Sequence, residues 1–364
     1  MRGFSLFHGL AFLLTFLISS TLHAGTDSTT ATTKQLRTQT SRLLLPKQVS
    51  FQVDNDFFMG TDRDYSSGLF IRVDNWGALG DAADQITRWL FPKANKTTHL
   101  SSFGILIGQE MYTPLITDRA DFVPYERPFA GWLYAGVRYK IRAPVWSLTL
   151  ELRLGLVGPY SLASHLMQFW HELIRLSSEI TSSSQGWKWQ LQHEFTVQAL
   201  ASWDWHILRI LRNSRKHMAL SLRTTLAVGN VWVHPEIKLL WSFGWLPKRS
   251  NDNASYTIRT GKLSPSRTGS TAIASTPPNW NFQFFVQPFA RVVIRNMFLD
   301  GLTFYPSPST DRYPVVAGVE AGIDWQVSWF RMKVTAVIHS LDAAYALRDH
   351  THHRYLGITL YHQL

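Results

Sequence analysis

The chain contains no cysteine in 364 residues. That excludes a disulfide framework, cysteine nucleophiles and zinc knuckles. Charged residues are also scarce, at 17 % of the chain. After the first residues no apolar run is long enough for a transmembrane helix, because polar residues interrupt each one at alternate positions. The charge that is present is basic, +11 with histidine neutral. No basic helix or aromatic RNA-binding motif goes with it, so nucleic acid is not an expected partner. Aromatic residues, by contrast, are plentiful: 15 Trp, 12 Tyr and 22 Phe in a chain whose mean hydropathy is only −0.09.

The amino terminus reads as a secretory signal over residues 1–24. Arg2 precedes an apolar run from Leu10 to Ile18, and small and polar residues follow up to Ala24 and Gly25. Removal of Arg2 with the signal leaves a formal charge of +10. Residues 25–47, rich in Ser, Thr and Gln, read as a flexible periplasmic leader that need not fold. Export, aromatic richness, modest hydropathy and no cysteine together predict an all-β outer-membrane protein over 48–364, a closed antiparallel barrel with an apolar lipid face, a polar lumen and aromatic girdles. A soluble secreted β-sandwich is the alternative class. A basic protein in that membrane is suited to anionic lipid or lipopolysaccharide head groups.

Alternation supports the barrel. In Leu133 to Arg142, residues Leu133, Ala135, Val137, Tyr139 and Ile141 face one way, and Gly136, Arg138, Lys140 and Arg142 the other. Trp146 to Gly155 and Phe330 to Ile338 repeat the pattern, again with Arg, Lys or Glu on the second face. Such charges at successive inward positions require a polar or water-filled interior. About twelve such segments are present, over 48–57, 66–75, 101–111, 130–142, 145–155, 190–204, 217–230, 231–244, 282–297, 314–326, 328–340 and 354–364, an even number as a closed barrel requires. With the amino terminus periplasmic, connections from odd to even strands are extracellular. The short links near 142–146 and 325–329 then fall on the periplasmic side, together with two long ones, 76–100 and 245–281. The first of these contains DAADQITRWLF, which could form a short amphipathic helix.

The stretch from Gln48 to Asn75 concentrates polar residues at a hairpin tip. Asn55, Asp56, Gly60, Asp62 and Asp64 lie where the first strand ends. Oxygen-rich loop tips suit hard cations, and the same residue types are also simply turn formers. Asn55 is in phase with the apolar face of its strand, so a site there would open sideways to lipid. By parity three polar loops share that rim: 57–65, 112–129 and 157–188. The third contains SLASHLMQFWHELIRL with helical spacing, in which Met167, Trp170, His171 and Ile174 share a face. A lone histidine on such an apolar helical face is more often structural than catalytic; as a candidate general base His171 competes with His165 in the same loop.

The sequence resembles the outer-membrane lipid A 3′-O-deacylase family. The resemblance is carried, in family order and over nearly the whole mature chain, by DNDFF with TDRDYSSG, QEMYTP (109–114), RPFAGWLYAG (127–136), VGPYSL followed by His171, GW with Gln190 and Glu194, and RNMFLDG (295–301). It implies a twelve-stranded barrel with a short helix in an extracellular loop, and calcium-dependent hydrolysis of the 3′-linked acyl esters of lipid A. It also implies an active-site Asn55-Asp56 pair that would hold Ca²⁺, a hydroxyl residue at Ser66 and a catalytic His171. Where the family has Gln four residues before the histidine, this chain has Met167, with Gln168 one position on. An amide one position further round a helix moves by about 100° and cannot simply take over.

The chemistry fits these residue types. Asp56 suits a hard cation that polarises an ester carbonyl, Asn55 can donate to the oxyanion, and His171 can take a proton from water. Water is favoured as nucleophile because no GxSxG elbow is present. The protein is expected to act as a monomer. The competing readings are a serine-dependent outer-membrane phospholipase, with Ser66 or Ser67 as nucleophile, and a non-catalytic porin or adhesin barrel.

Overall fold

The computed structural model describes residues 46–60, 64–76, 80–92, 100–115, 126–174, 186–212, 216–245, 258–259, 262–263, 280–327, 329–344 and 352–363. The signal peptide and leader expected over 1–47 lie outside them, apart from positions 46 and 47, which open the first strand. The barrel strands are β1 (Pro46–Asn55), β2 (Asp64–Trp76), β3 (Leu100–Thr113), β4 (Ala130–Arg142), β5 (Trp146–Val157), β6 (Glu194–Arg212), β7 (Lys216–Gly229), β8 (Trp232–Trp245), β9 (Trp280–Val292), β10 (Val315–Val327), β11 (Phe330–Ser340) and β12 (His352–Gln363). Each pairs antiparallel with the next, and β12 pairs with β1. The ring is therefore closed with twelve strands and leaves no edge for another chain to add to.

The alternation of the sequence is what sorts lipid face from lumen. Arg138 reaches Glu151 at 2.9 Å and Asp74 at 3.1 Å on the inside, while Val137, Leu152 and Leu154 are exposed on the outside. Other charges inside the barrel pair likewise: Arg223 with Asp204 and Arg331 with Asp324. The lumen is polar, as the inward Arg and Lys positions predict, but it is not an open water channel along its length. After β9 the chain turns back into the barrel and forms one helical turn, Met297–Asp300, whose Met297, Phe298 and Leu299 are buried. The Phe298 ring stacks on Tyr112 at 3.9 Å, and Trp132 and Trp232 pack around it. Asn296 caps this turn by accepting from the Phe298 N–H. The RNMFLDG segment is thus a plug, and Tyr112 and Trp132 from QEMYTP and RPFAGW are its wall.

Two helices lie outside the ring. The connection between β2 and β3, one of the two long links on its rim, contains α1 (Gly80–Leu90). The connection between β5 and β6 contains α2 (Ala163–Ile174). Of the other long link, 245–281, the described residues show only a two-strand pairing of 258–259 with 262–263.

Candidate active site on the outer wall

At the rim formed by the odd-to-even connections, the outward residues of neighbouring strands make a row. Leu356, Asn55, Ser67, Met111 and Gly131 are successive cross-strand partners. Most outward positions further down these strands are apolar, as lipid requires. Near the rim the same columns carry Asn55, Ser67, Gln109 and Thr113.

Ser66 joins them through a bulge. The β2–β3 register shifts between Tyr65 and Ser67, leaving Ser66 as an extra residue. Simple alternation from Ser67 would aim Ser66 into the lumen; a bulge re-aims the side chain. Its hydroxyl instead lies 2.5 Å from that of Thr113, with both residues buried. The Ser67 hydroxyl donates to the Asp54 carbonyl at 3.1 Å.

Asn55 and Asp56 form the corner where β1 ends. The Asn55 side-chain oxygen accepts from the Phe57 N–H at 2.8 Å, an Asx turn of the kind this residue type favours. Asp56, only 1 % exposed, donates its N–H to the Ser66 carbonyl at 3.2 Å and accepts from the Met59 N–H at 2.8 Å. One helical turn, Phe57–Met59, follows and ends at Gly60 in the left-handed region with φ 76°. Asn55, Asp56 and Ser66 are thus brought together.

Asp64 is not part of this group. Asp62 lies outside the described residues. Asp64, with φ 63°, belongs to a separate buried network: its carboxylate is 3.6 Å from Arg127 Nε and 3.7 Å from His353 Nδ1. Arg127 in turn donates to both carboxylate oxygens of Asp342 at 2.7 Å. This network ties the β1–β2, β3–β4 and β11–β12 connections to one another.

The third loop supplies α2. It packs on the outer wall over β3 and β4, and Gly131 is what admits it: a Cβ there would collide with the Ser161 hydroxyl and with Ala163. Ala163 and Met167, one turn apart, are buried with Met111, Phe129 and Trp187. Met167 is 5 % exposed, whereas His165, Gln168 and Phe169 face out. The 100° step between Met167 and Gln168 therefore has the consequence expected from the sequence. His171 is on α2 four residues after Met167, one turn further along the helix; its side chain lies outside the described residues.

Three polar atoms in this wall are buried without a hydrogen-bond partner among the described residues: Gln109 Oε1, Ser161 Oγ and Trp187 Nε1. The other end of the Gln109 amide donates to the Ser161 carbonyl at 3.4 Å. Sequence reasoning gave no role to Gln109, Thr113 or Trp187. The signal for the first two was a polar residue at an outward position of a strand whose Ile105 and Ile107 face lipid.

Among the described residues no three of His, Cys, Asp and Glu are placed to hold a metal ion. The donors at the Asn55 corner are all oxygens: the Asp56 carboxylate, the Asn55 amide and the hydroxyls of Ser66 and Thr113. In kind this set suits a hard cation such as calcium. In number it needs backbone carbonyls, water or substrate to reach six to eight ligands.

The family described as outer membrane protein LpxR matches residues 10–362. Among solved structures, LpxR from Salmonella typhimurium is similar with a TM-score of 0.64 at 16 % identity, covering 87 % of this chain and 100 % of that one. At that identity the likeness shows the fold, the same closed barrel. The β domain of the Bordetella autotransporter BrkA matches with a TM-score of 0.42 at 10 % identity, over 87 % of this chain and 98 % of that one. The translocator domain of the autotransporter NalP from Neisseria meningitidis matches at 0.33 and 6 %, over 92 % and 98 %. No curated protein matches. With the family match running over nearly the whole length, and with a closed twelve-stranded barrel, this chain is a bacterial outer-membrane protein and belongs to the LpxR family.

Proposed function

We propose that the protein is a calcium-dependent ester hydrolase that removes the 3′-linked acyl chains of lipid A in the outer leaflet. The observation that carries this reading is the outward placement of Asn55, Ser66, Gln109 and Thr113 beside α2. Polar side chains on the lipid face cost free energy unless they serve a purpose there. A substrate embedded in the leaflet reaches that face without entering the barrel.

His171 on α2 takes a proton from water, the water oxygen attacks the ester carbonyl, and the proton passes to the sugar oxygen as the acyl C–O bond breaks. Asn55 has its side-chain oxygen held by Phe57 N–H, which leaves its two N–H donors for the oxyanion. Asp56, with Asn55, would hold calcium, which when bound supplies electrophilic polarisation of the carbonyl. Ser66 is buried and hydrogen-bonded to Thr113, which favours a positioning role over a serine nucleophile. The Phe298 plug weighs against a porin.

Mass spectrometry of lipid A from cells with and without the protein tests the reading. Loss of the 3′-linked acyl mass is the expected result; an unchanged profile in cells that display the folded barrel overturns it.

A further inference from the structure

The outer face of β4 is covered at both ends. At the rim opposite the candidate site, Val137 is 43 % exposed, as a lipid-facing residue should be, yet Tyr139 and Ile141 in the same column are 4 % and 0 % exposed. What covers them is α1. Its Ala83, Ile86 and Leu90 pack with Tyr139, Ile141, Leu148 and Phe103, and the hydroxyls of Thr87 and Tyr139 are 2.7 Å apart. The Ser101 hydroxyl donates to Asp84 at 3.1 Å. The helix thus lies on the outside of the barrel, on positions that lipid would otherwise occupy.

Its far side carries Gln85, Arg88 and Trp89, all exposed, with Trp89 at 79 %. A tryptophan that open is not part of the packing against the wall. From the end of α1 a belt of rings runs around the barrel: Phe91 to Trp146 at 5.2 Å, Trp146 to Trp203 at 5.1 Å and Trp203 to Trp205 at 5.4 Å. Exposed Trp245, Trp280, Trp325 and Trp329 continue the same rim. Such belts sit at the boundary between head groups and acyl chains. An amphipathic helix with arginine and tryptophan on its free side occupies that same zone.

We propose that α1 is a lipid-binding foot, in which Trp89 and Arg88 engage the head-group boundary of the glycerophospholipid leaflet at the rim opposite α2. The indole lies among the upper acyl carbons, and the guanidinium meets lipid phosphate. This assignment is independent of any hydrolysis at the other rim.

The test uses the full chain in vesicles of phosphatidylethanolamine and phosphatidylglycerol, with and without bromine near the top of the acyl chains. The emission difference between wild type and Trp89→Phe isolates Trp89. Folding of the variant is checked by heat-modifiable mobility. Bromolipid should reduce this difference emission by about twofold or more, as expected for an indole at the interface, and Arg88→Glu should shift it to longer wavelength. Difference emission untouched by bromolipid but quenched by aqueous iodide would overturn the proposal and leave α1 facing water or a protein.

Discussion

The hydroxyl oxygens of Ser66 and Thr113 stand 2.5 Å apart and buried on the outer wall, joined only because a bulge turns Ser66 away from the lumen. Ser66→Ala would leave the Thr113 hydroxyl buried without this partner, at a cost of about 1–3 kcal/mol. Thr113→Val in the same chain should recover part of that loss. Urea unfolding of both variants in lipid vesicles measures it. A Ser66→Ala protein as stable as wild type would mean that the pair contributes nothing.

Met167 is buried among Met111, Phe129, Ala163 and Trp187, in the place where the resemblance expects Gln. Met167→Gln puts an amide into an apolar contact, which alone costs about 1–3 kcal/mol. Gln109 Oε1 and Trp187 Nε1, both buried without a hydrogen-bond partner among the described residues, offer an acceptor and a donor in the same wall. Deacylation by Met167→Gln should therefore equal or exceed that of wild type in a lipid A release assay. A clear loss would mean that this site is built around the thioether, and the roles carried over from the family would have to be withdrawn one by one.

The barrel was legible because lipid and lumen impose a period of two on every strand, and each of the twelve segments read from alternation overlaps one observed strand. The ends were less so: 190–204 became Glu194–Arg212, since Trp205 to Arg212 continue a strand beyond the point where clean alternation stops. The corner of Asn55 and Asp56 was visible as a strand running into turn residues. The Ser66–Thr113 contact was not, because a bulge is a register shift between two strands and neither strand shows it alone. Nor was the plug, since MFLD reads equally as the end of a strand, and only Tyr112, Trp132 and Trp232 meeting around Phe298 make it a core.

Asp342, in the connection after β11, receives both bonds from Arg127. Burial alone would raise its carboxyl, but Arg127 and His339 outweigh that and hold it down at about 2. A depressed carboxyl stabilises the fold above its unfolded value, about 3.9, and that contribution is lost as pH falls through the folded one. Thermal unfolding in detergent should thus weaken between about pH 4 and 2, and Asp342→Asn should flatten the fall. An equally steep fall in the variant would place the acid sensitivity elsewhere.

Calcium dependence is expected from the all-oxygen corner at Asn55 and Asp56. Chelator should abolish lipid A hydrolysis and added calcium restore it, while Asp56→Ala should stay inactive at ordinary calcium levels. Asp56 is 1 % exposed beside the Ser66 carbonyl that its N–H reaches, so the variant must also be shown to keep its heat-modifiable mobility. Full turnover in excess chelator would remove the cation from the mechanism.

His171 separates catalysis from packing at a single position. It follows Met167 by one turn of α2, the helix that Gly131 allows to lie against the wall. If it is the base that takes the proton from water, His171→Ala should leave folding unchanged and lower turnover by about 10²–10⁴-fold, the usual range for loss of acid–base catalysis. His165 is exposed on the same helix, and His165→Ala should change little. The pH profile is the further discriminant: a rate that needs the deprotonated imidazole should rise with pH in the wild type, and the small residual rate of His171→Ala should lose that rise. A variant that loses stability while its folded fraction keeps full specific activity would assign His171 to packing, and the proton would then need another acceptor.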